Sequence, residues 1–196
     1  MNPLAIRTKW QEIIPNLTDE DWEEACSSHL YVSPIANNRL IQLYMLHQSY
    51  LSPSRLYAMQ SIASPKCLRC SAKRADFIHI MWFCPVISRF WQEIIQILSS
   101  VLNMPVPLTP ETCLLGILDE ITWSRYHKIM LRETLFTARK TITVKWIQVK
   151  PPAVKNWIRA VNQILPFEKV LYMHRGCSTK YNKIWDNWSQ STLTNG

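Results

Sequence analysis

Glycine is nearly missing from this chain: three residues of 196, one of them the last. Strand-rich folds and phosphate-cradling loops usually spend more glycine, wherever φ turns positive or the backbone approaches closely, so the shortage argues against both. Long apolar runs are also missing. None approaches the roughly 20 residues that span a bilayer, and the opening MNPLAIRTKWQEII has no apolar core of a secretory signal. These absences predict an intracellular chain, cytoplasmic or nuclear, with reduced thiols and no membrane partner. Acid is scarce toward the end: residues 121–196 set thirteen Lys and Arg against Glu133, Glu168 and Asp186. A nuclease needs a carboxylate cluster to hold its metal ions, and three scattered acids do not predict one. No Ser or Cys hydrolase signature occurs either.

What is present belongs to a globular protein, with 47% hydrophobic and 18% charged residues. Nine Trp, seven Tyr and five Phe can build a core or stack on bases. The net charge of +8 is uneven. Residues 1–24 hold two bases, Arg7 and Lys9, against six acids, a balance of −4 that leaves +12 for the rest. Such asymmetry points to a polyanionic partner, nucleic acid before membrane.

Twelve prolines punctuate a series of helical patterns. The first runs over 3–14. Thr18 with Asp21 reads as a capping box for the next. Ile35, Leu40, Leu43, Tyr44 and Leu46 repeat at helical spacing in the third, and Ser52-Pro53 caps a fourth. Pro85 opens an amphipathic helix, the proline-rich 103–110 is a loop, and a long helix covers about 123–147 with Leu131, Leu135, Ala138, Ile142 and Trp146 on one stripe. Two shorter helices follow at 153–165 and 178–190. The fold is read as all-α with little or no strand, in two parts: residues 1–102, with N-terminal helices and the cysteine cluster, and residues 103–196, a basic helical subdomain.

Three of the six cysteines, Cys67, Cys70 and Cys84, group with His79 as C-x2-C-x8-H-x4-C, while Cys26, Cys113 and Cys177 are scattered. That pattern suits a metal better than a disulfide framework. Zinc takes thiolate and imidazole ligands in a tetrahedron, and a two-residue gap lets one tight knuckle supply two of them. Residues five apart do not share an α-helical face, but Pro85 pushes Cys84 out of the α region and lets it turn back toward the metal. Four ordinary core residues are the bland alternative. Three thiolates and an imidazole leave no open position for water, so one structural Zn2+ is expected rather than a catalytic one. A zinc deaminase is excluded further because His79 is followed by Ile80 and Met81 instead of the His-x-Glu pattern.

Over residues 10–160, NRLIQLYMLHQSYLSPSRLYAM, CLRCSAKRADFIHIMWFCPVISRFW, LLGIL, LFTARKTITVKW and PPAVKNWI resemble, in order, the region after the polymerase in the second open-reading-frame protein of LINE-type non-LTR retrotransposons. The resemblance implies a Cys/His knuckle that binds nucleic acid, RNA before duplex DNA, with ligands at Cys67, Cys70, His79 and Cys84. It does not carry the parent enzyme's activity. Ala75-Asp76-Phe77 offers one carboxylate where a polymerase palm pairs two aspartates, and nothing resembles the family's endonuclease. A non-catalytic segment detached from its polymerase is expected.

Lys66, Arg69, Lys73 and Arg74 surround the knuckle and are candidate phosphate contacts. Arg125, Lys128, Arg132 and Arg139 line one helix edge, either as a phosphate track or as a solvated flank whose stems cover the core. Of the aromatics near His79, two pack and one stays exposed as a stacking platform, with Trp82 chosen. Opposed to nucleic-acid binding stands a zinc-stapled protein-interaction domain that docks on a polymerase or host partner. The oligomeric state is not legible.

Overall fold

Eight α helices and two π-wound turns occur among the described residues of the computed structural model, which covers 3–31, 36–119 and 122–193. No strand occurs among them. The all-α expectation holds. α1 (Pro3–Gln11) ends ahead of Pro15. α2 (Asp19–Tyr31) starts on the expected capping box: the Asp21 amide donates to Thr18 Oγ1 at 3.1 Å, and the Asp21 carboxylate accepts from the Thr18 amide at 3.3 Å. After α3 (Ala36–Leu46), α4 (Pro53–Ala58) is capped by Ser52 Oγ, which accepts from the Arg55 amide at 3.4 Å. α5 (Pro85–Leu102), α6 (Arg125–Val144), α7 (Val154–His174) and α8 (Ser178–Leu193) complete the chain. The π turns are His79–Phe83 and Glu111–Leu115.

The shortage of glycine shows at the helix ends. α3, α4 and α5 close on a left-handed residue, the position glycine normally takes, but here it is Gln48, Gln60 and Asn103 with φ of 49°, 57° and 52°. At α3 the two closing bonds are Ser49 N–H to Tyr44 O at 2.8 Å and Gln48 N–H to Met45 O at 2.9 Å.

Helices α5, α6, α7 and α8 each pack on the other three. α6 lies at the centre, with Leu131, Leu135, Ala138 and Ile142 buried as the stripe predicts. Indole N–H groups tie the helices together: Trp157 donates to Thr134 O at 2.9 Å, Trp188 to Asn162 at 2.8 Å and Trp185 to Glu168 at 2.7 Å. Buried aromatics therefore serve as core and as fasteners at once. The 103–110 loop, read from sequence as a subdomain boundary, is crossed by a single buried cluster running from Ile6 to Trp188.

Two expectations about helices fail. α7 does not stop at residue 165 but continues through Pro166 to His174. An interior proline forfeits one hydrogen bond at a cost of about 3 kcal/mol. Contacts beyond it offset that loss, with Glu168 held by Trp185 and Tyr172 packed on Tyr181 at 6.3 Å between ring centroids. On α3, Leu40, Leu43 and Tyr44 face solvent, while Asn38, Gln42, Met45 and Leu46 are buried. The inner face is polar because α6 presents cations to it: Asn38 accepts from Lys140 Nζ at 2.9 Å and Gln42 from Arg139 Nη2 at 3.3 Å. Ile35 lies outside the described residues.

The core also contains acid. Burial pushes the Glu133 carboxyl well above the ordinary carboxylate range, Glu168 raises it further, and Arg139 opposes both. The neutral form is thus favoured by folding. Its contribution is complete below the ordinary carboxylate range and is lost as pH rises through that range toward the raised value. Glu133→Gln should stabilise the fold at neutral pH, with a gain in melting temperature over wild type that grows between pH 5 and 8. A gain independent of pH would assign the effect to packing instead.

Candidate metal centre

The knuckle is built by backbone first. Ala75 N–H donates to Pro65 O at 2.8 Å, Cys67 N–H to Ala72 O at 3.0 Å and Ser71 N–H to Cys67 O at 2.9 Å, with Ser71 left-handed at φ 60°. This closes a tight loop that carries Cys67 and Cys70 on one side. Asp76 then starts the next element, its Oδ1 accepting from the His79 amide at 2.8 Å.

His79–Phe83 is wound as a π turn, with Cys84 N–H donating to His79 O at 2.8 Å. On an α helix residue 84 would sit roughly 140° past a full turn from residue 79. The wider i→i+5 winding returns it toward the same side. Cys84 is extended, with ψ 124°, and Pro85 begins α5. The expected turn-back at Cys84-Pro85 is present, and the π winding, which spacing did not predict, does half the work. Trp91 locks the two together by donating its indole N–H to Met81 O at 2.8 Å.

These elements bring Cys67, Cys70, His79 and Cys84 together with their ligand atoms all within 4.8 Å of one another. Cys67 and Cys84 Sγ are 4.0 Å apart, and Cys70 Sγ lies 3.3 Å from His79 Nε2. Three sulfurs and an imidazole nitrogen in that arrangement could hold one metal ion. Backbone amides prepare the sulfurs. Burial pushes the Cys67 thiol up, but bonds from the Arg69 and Cys70 amides outweigh it and leave it below the ordinary thiol value. Burial pushes Cys84 up to about 11 against the opposing amides of Ile87 and Val86 at the start of α5. Burial holds His79 below the ordinary imidazole value and so favours its neutral, ligating form.

The basic residues do not behave alike. Lys66, Lys73 and Arg74 are exposed around the knuckle. Arg69 is half-buried and turns inward, its Nη2 donating to the carbonyls of Lys145 and Trp146, the latter at 3.0 Å. It caps the end of α6 and attaches the knuckle to it, so it is no phosphate contact.

On α6 the predicted track breaks up. Lys128 is buried, Arg139 is 1% exposed and Arg132 pairs with Glu24. Arg125 is exposed, but it opens α6 while the knuckle sits at the other end, roughly 30 Å away along a helix of 20 residues. The face was misread because α6 is surrounded by other helices, and its apparent flank is interior.

Trp82 is corrected as well. It is half-buried against Trp91 at 6.2 Å between centroids, and Phe77 is buried between Trp10 and Trp146. The exposed ring is Phe83, at 61%. Spacing offered no means of choosing between Trp82 and Phe83, because the π winding decides which one faces outward. No helix of the described residues is long and apolar enough to cross a membrane. No model of a known protein family matches this chain.

Proposed function

We propose that the chain is a non-catalytic, zinc-stapled module that binds single-stranded nucleic acid, RNA in preference to DNA, of the kind that follows the polymerase in LINE-type retrotransposon proteins. The observation that carries it is the ring of exposed cations, Lys66, Lys73 and Arg74, on a knuckle built by the four-ligand cluster. Tetrahedral zinc with Zn–S of about 2.3 Å and Zn–N of about 2.0 Å requires ligand edges of about 3.8 Å and 3.5 Å. The observed 4.0 Å and 3.3 Å lie on either side. With three thiolates the filled site carries −1, and the Arg69 guanidinium beside it is the compensating charge. A reducing, intracellular setting suits the free thiols.

A non-catalytic reading fits the acids as well. Glu133 is buried and Glu168 is occupied by Trp185. Among the described residues, the Cys/His cluster is the one group of three or more residues able to hold a metal ion. The resemblance to the retrotransposon region rests on the sequence motifs, and the buried Cys84 ahead of Pro85 and the buried Phe90-Trp91 pair give those motifs a structural reason.

Salt titration tests the function. Each phosphate contact on a single strand contributes about −0.7 to the slope of log K against log salt. Lys73→Ala with Arg74→Ala should flatten the slope for single-stranded RNA by roughly 1.4, with the fold unchanged. Equal slopes for wild type and double mutant would mean the knuckle does not touch the backbone.

A second reading, a protein-interaction domain for a polymerase or host partner, is favoured by one surface. Phe167, Val170 and Met173 are exposed at helical spacing on α7. Binding through that face would hardly respond to salt.

A further inference from the structure

A cavity lies beside the knuckle. It holds about 790 Å³, within the roughly 300–1,000 Å³ of sites that take small ligands. Its walls come from three distant parts of the chain: Lys9 and Glu12 at the end of α1, Gln48 and Tyr50 of the α3–α4 connection with Arg55 of α4, and Arg74, Asp76 and Phe83 around the first π turn.

The chemistry of these walls is sorted. Lys9, Arg55 and Arg74 are exposed, and none has an ion-pair partner among the described residues. Of the two acids, Asp76 is engaged through one oxygen with the His79 amide. Two polar atoms in the wall, Gln48 Nε2 and Ser54 Oγ, are buried with no hydrogen-bond partner in the protein. Phe83 at the rim and the half-buried Tyr50 supply ring surface.

We infer that this groove seats a nucleotide of a single-stranded polynucleotide, its phosphates against Lys9, Arg55 and Arg74 and its base against Phe83. The inference rests on the nucleic-acid reading above and extends it to a place: Arg74 belongs to both knuckle and groove, so a strand crossing the knuckle continues into the cavity. A base stacked on an aromatic ring and a phosphate held by cations are the two recurring elements of single-strand recognition.

The test uses the metal-loaded chain with a twelve-nucleotide oligo(U), the corresponding oligo(dT), and uridine monophosphate as the free-ligand arm. Lys9→Ala with Arg55→Ala should reduce the salt slope for the oligonucleotides by roughly 1.4. Phe83→Ala should weaken oligonucleotide binding roughly tenfold at every salt concentration. Phe167→Ala, which removes a still more exposed ring on α7, should change nothing. Melting curves confirm that each variant is folded. Uridine monophosphate should bind far more weakly than either oligomer, because it has one phosphate to offer three cations. Tighter or equal binding of the monophosphate would replace the strand with a free nucleotide and overturn the inference.

If Lys73 and Arg74 matter but Lys9, Arg55 and Phe83 do not, the groove is empty of nucleic acid and the broader function stands. If wild type binds neither oligomer, that function fails and the groove fails with it.

Discussion

Stripping the metal that the Cys/His cluster is proposed to hold should loosen residues 60–90 and leave most of the α5–α8 packing in place. Structural zinc supplies about 10–16 kcal/mol of apparent binding energy in small domains, and a whole domain is stable by only about 5–15 kcal/mol. Apart from the four ligands, the knuckle is anchored by Arg69 on the end of α6 and by buried Ala75 and Phe77. Its exposed residues Lys66, Leu68, Lys73 and Arg74 pack on nothing large, and its backbone bonds close a short loop. Without the ion, three thiols and an imidazole would face one another within 4.8 Å with nothing to bind. Damage should spread along two contacts. Arg69 would lose its hold on the Lys145 and Trp146 carbonyls and fray the end of α6. The bond from Trp91 to Met81 would loosen the start of α5. Hydrogen exchange before and after chelation reads this directly, and Cys67→Ser should reproduce it without a chelator. Elemental analysis finding no metal in native protein, or protection over 60–90 unchanged by chelation, would overturn the assignment.

Replacing Arg139 by Ala should cost about 3–5 kcal/mol of stability, as when one partner of a buried polar network is removed. Its Nη1 donates to Cys113 O at 2.9 Å and its Nη2 to Gln42 at 3.3 Å, and the guanidinium lies 5.9 Å from the Phe136 ring centroid. It therefore joins α6 to the second π turn and to the polar inner face of α3. Truncation would remove the bonds to Cys113 O and Gln42 and take away the cation that moderates Glu133. Urea denaturation measures the loss, and metal content should stay constant throughout. Where the variant remains folded, its salt slope for single-stranded RNA should match wild type. Near-normal stability with a flattened slope would return Arg139 to a phosphate track.

The helices, their starts and the ligand set were legible because they depend on neighbours in sequence. The Thr18/Asp21 capping box, Ser52-Pro53, Cys84-Pro85 and the Leu131–Ile142 stripe each carry their own local physics, and each appears where it was read. Two cysteines three apart, followed by a histidine and a third cysteine, likewise specify a cluster without reference to the rest of the chain.

Orientation was not legible. Arg139 and Lys128 are sequence-equivalent to surface cations, and only the elements packed around α6 bury them, the second π turn and α3 among them for Arg139. Leu40 and Leu43 look like core until Asn38 and Gln42 are needed opposite the α6 cations Lys140 and Arg139. The π winding, set by tertiary contacts such as Trp91 on Met81, turns Phe83 outward and Trp82 inward. The groove joins residues 9, 55, 74 and 83, which no short-range pattern connects. Local sequence determined which segments are helical and which side chains gather at the knuckle, since both depend on nearby backbone geometry. The tertiary structure alone decided which charges meet water, because burial depends on every element packed around a residue.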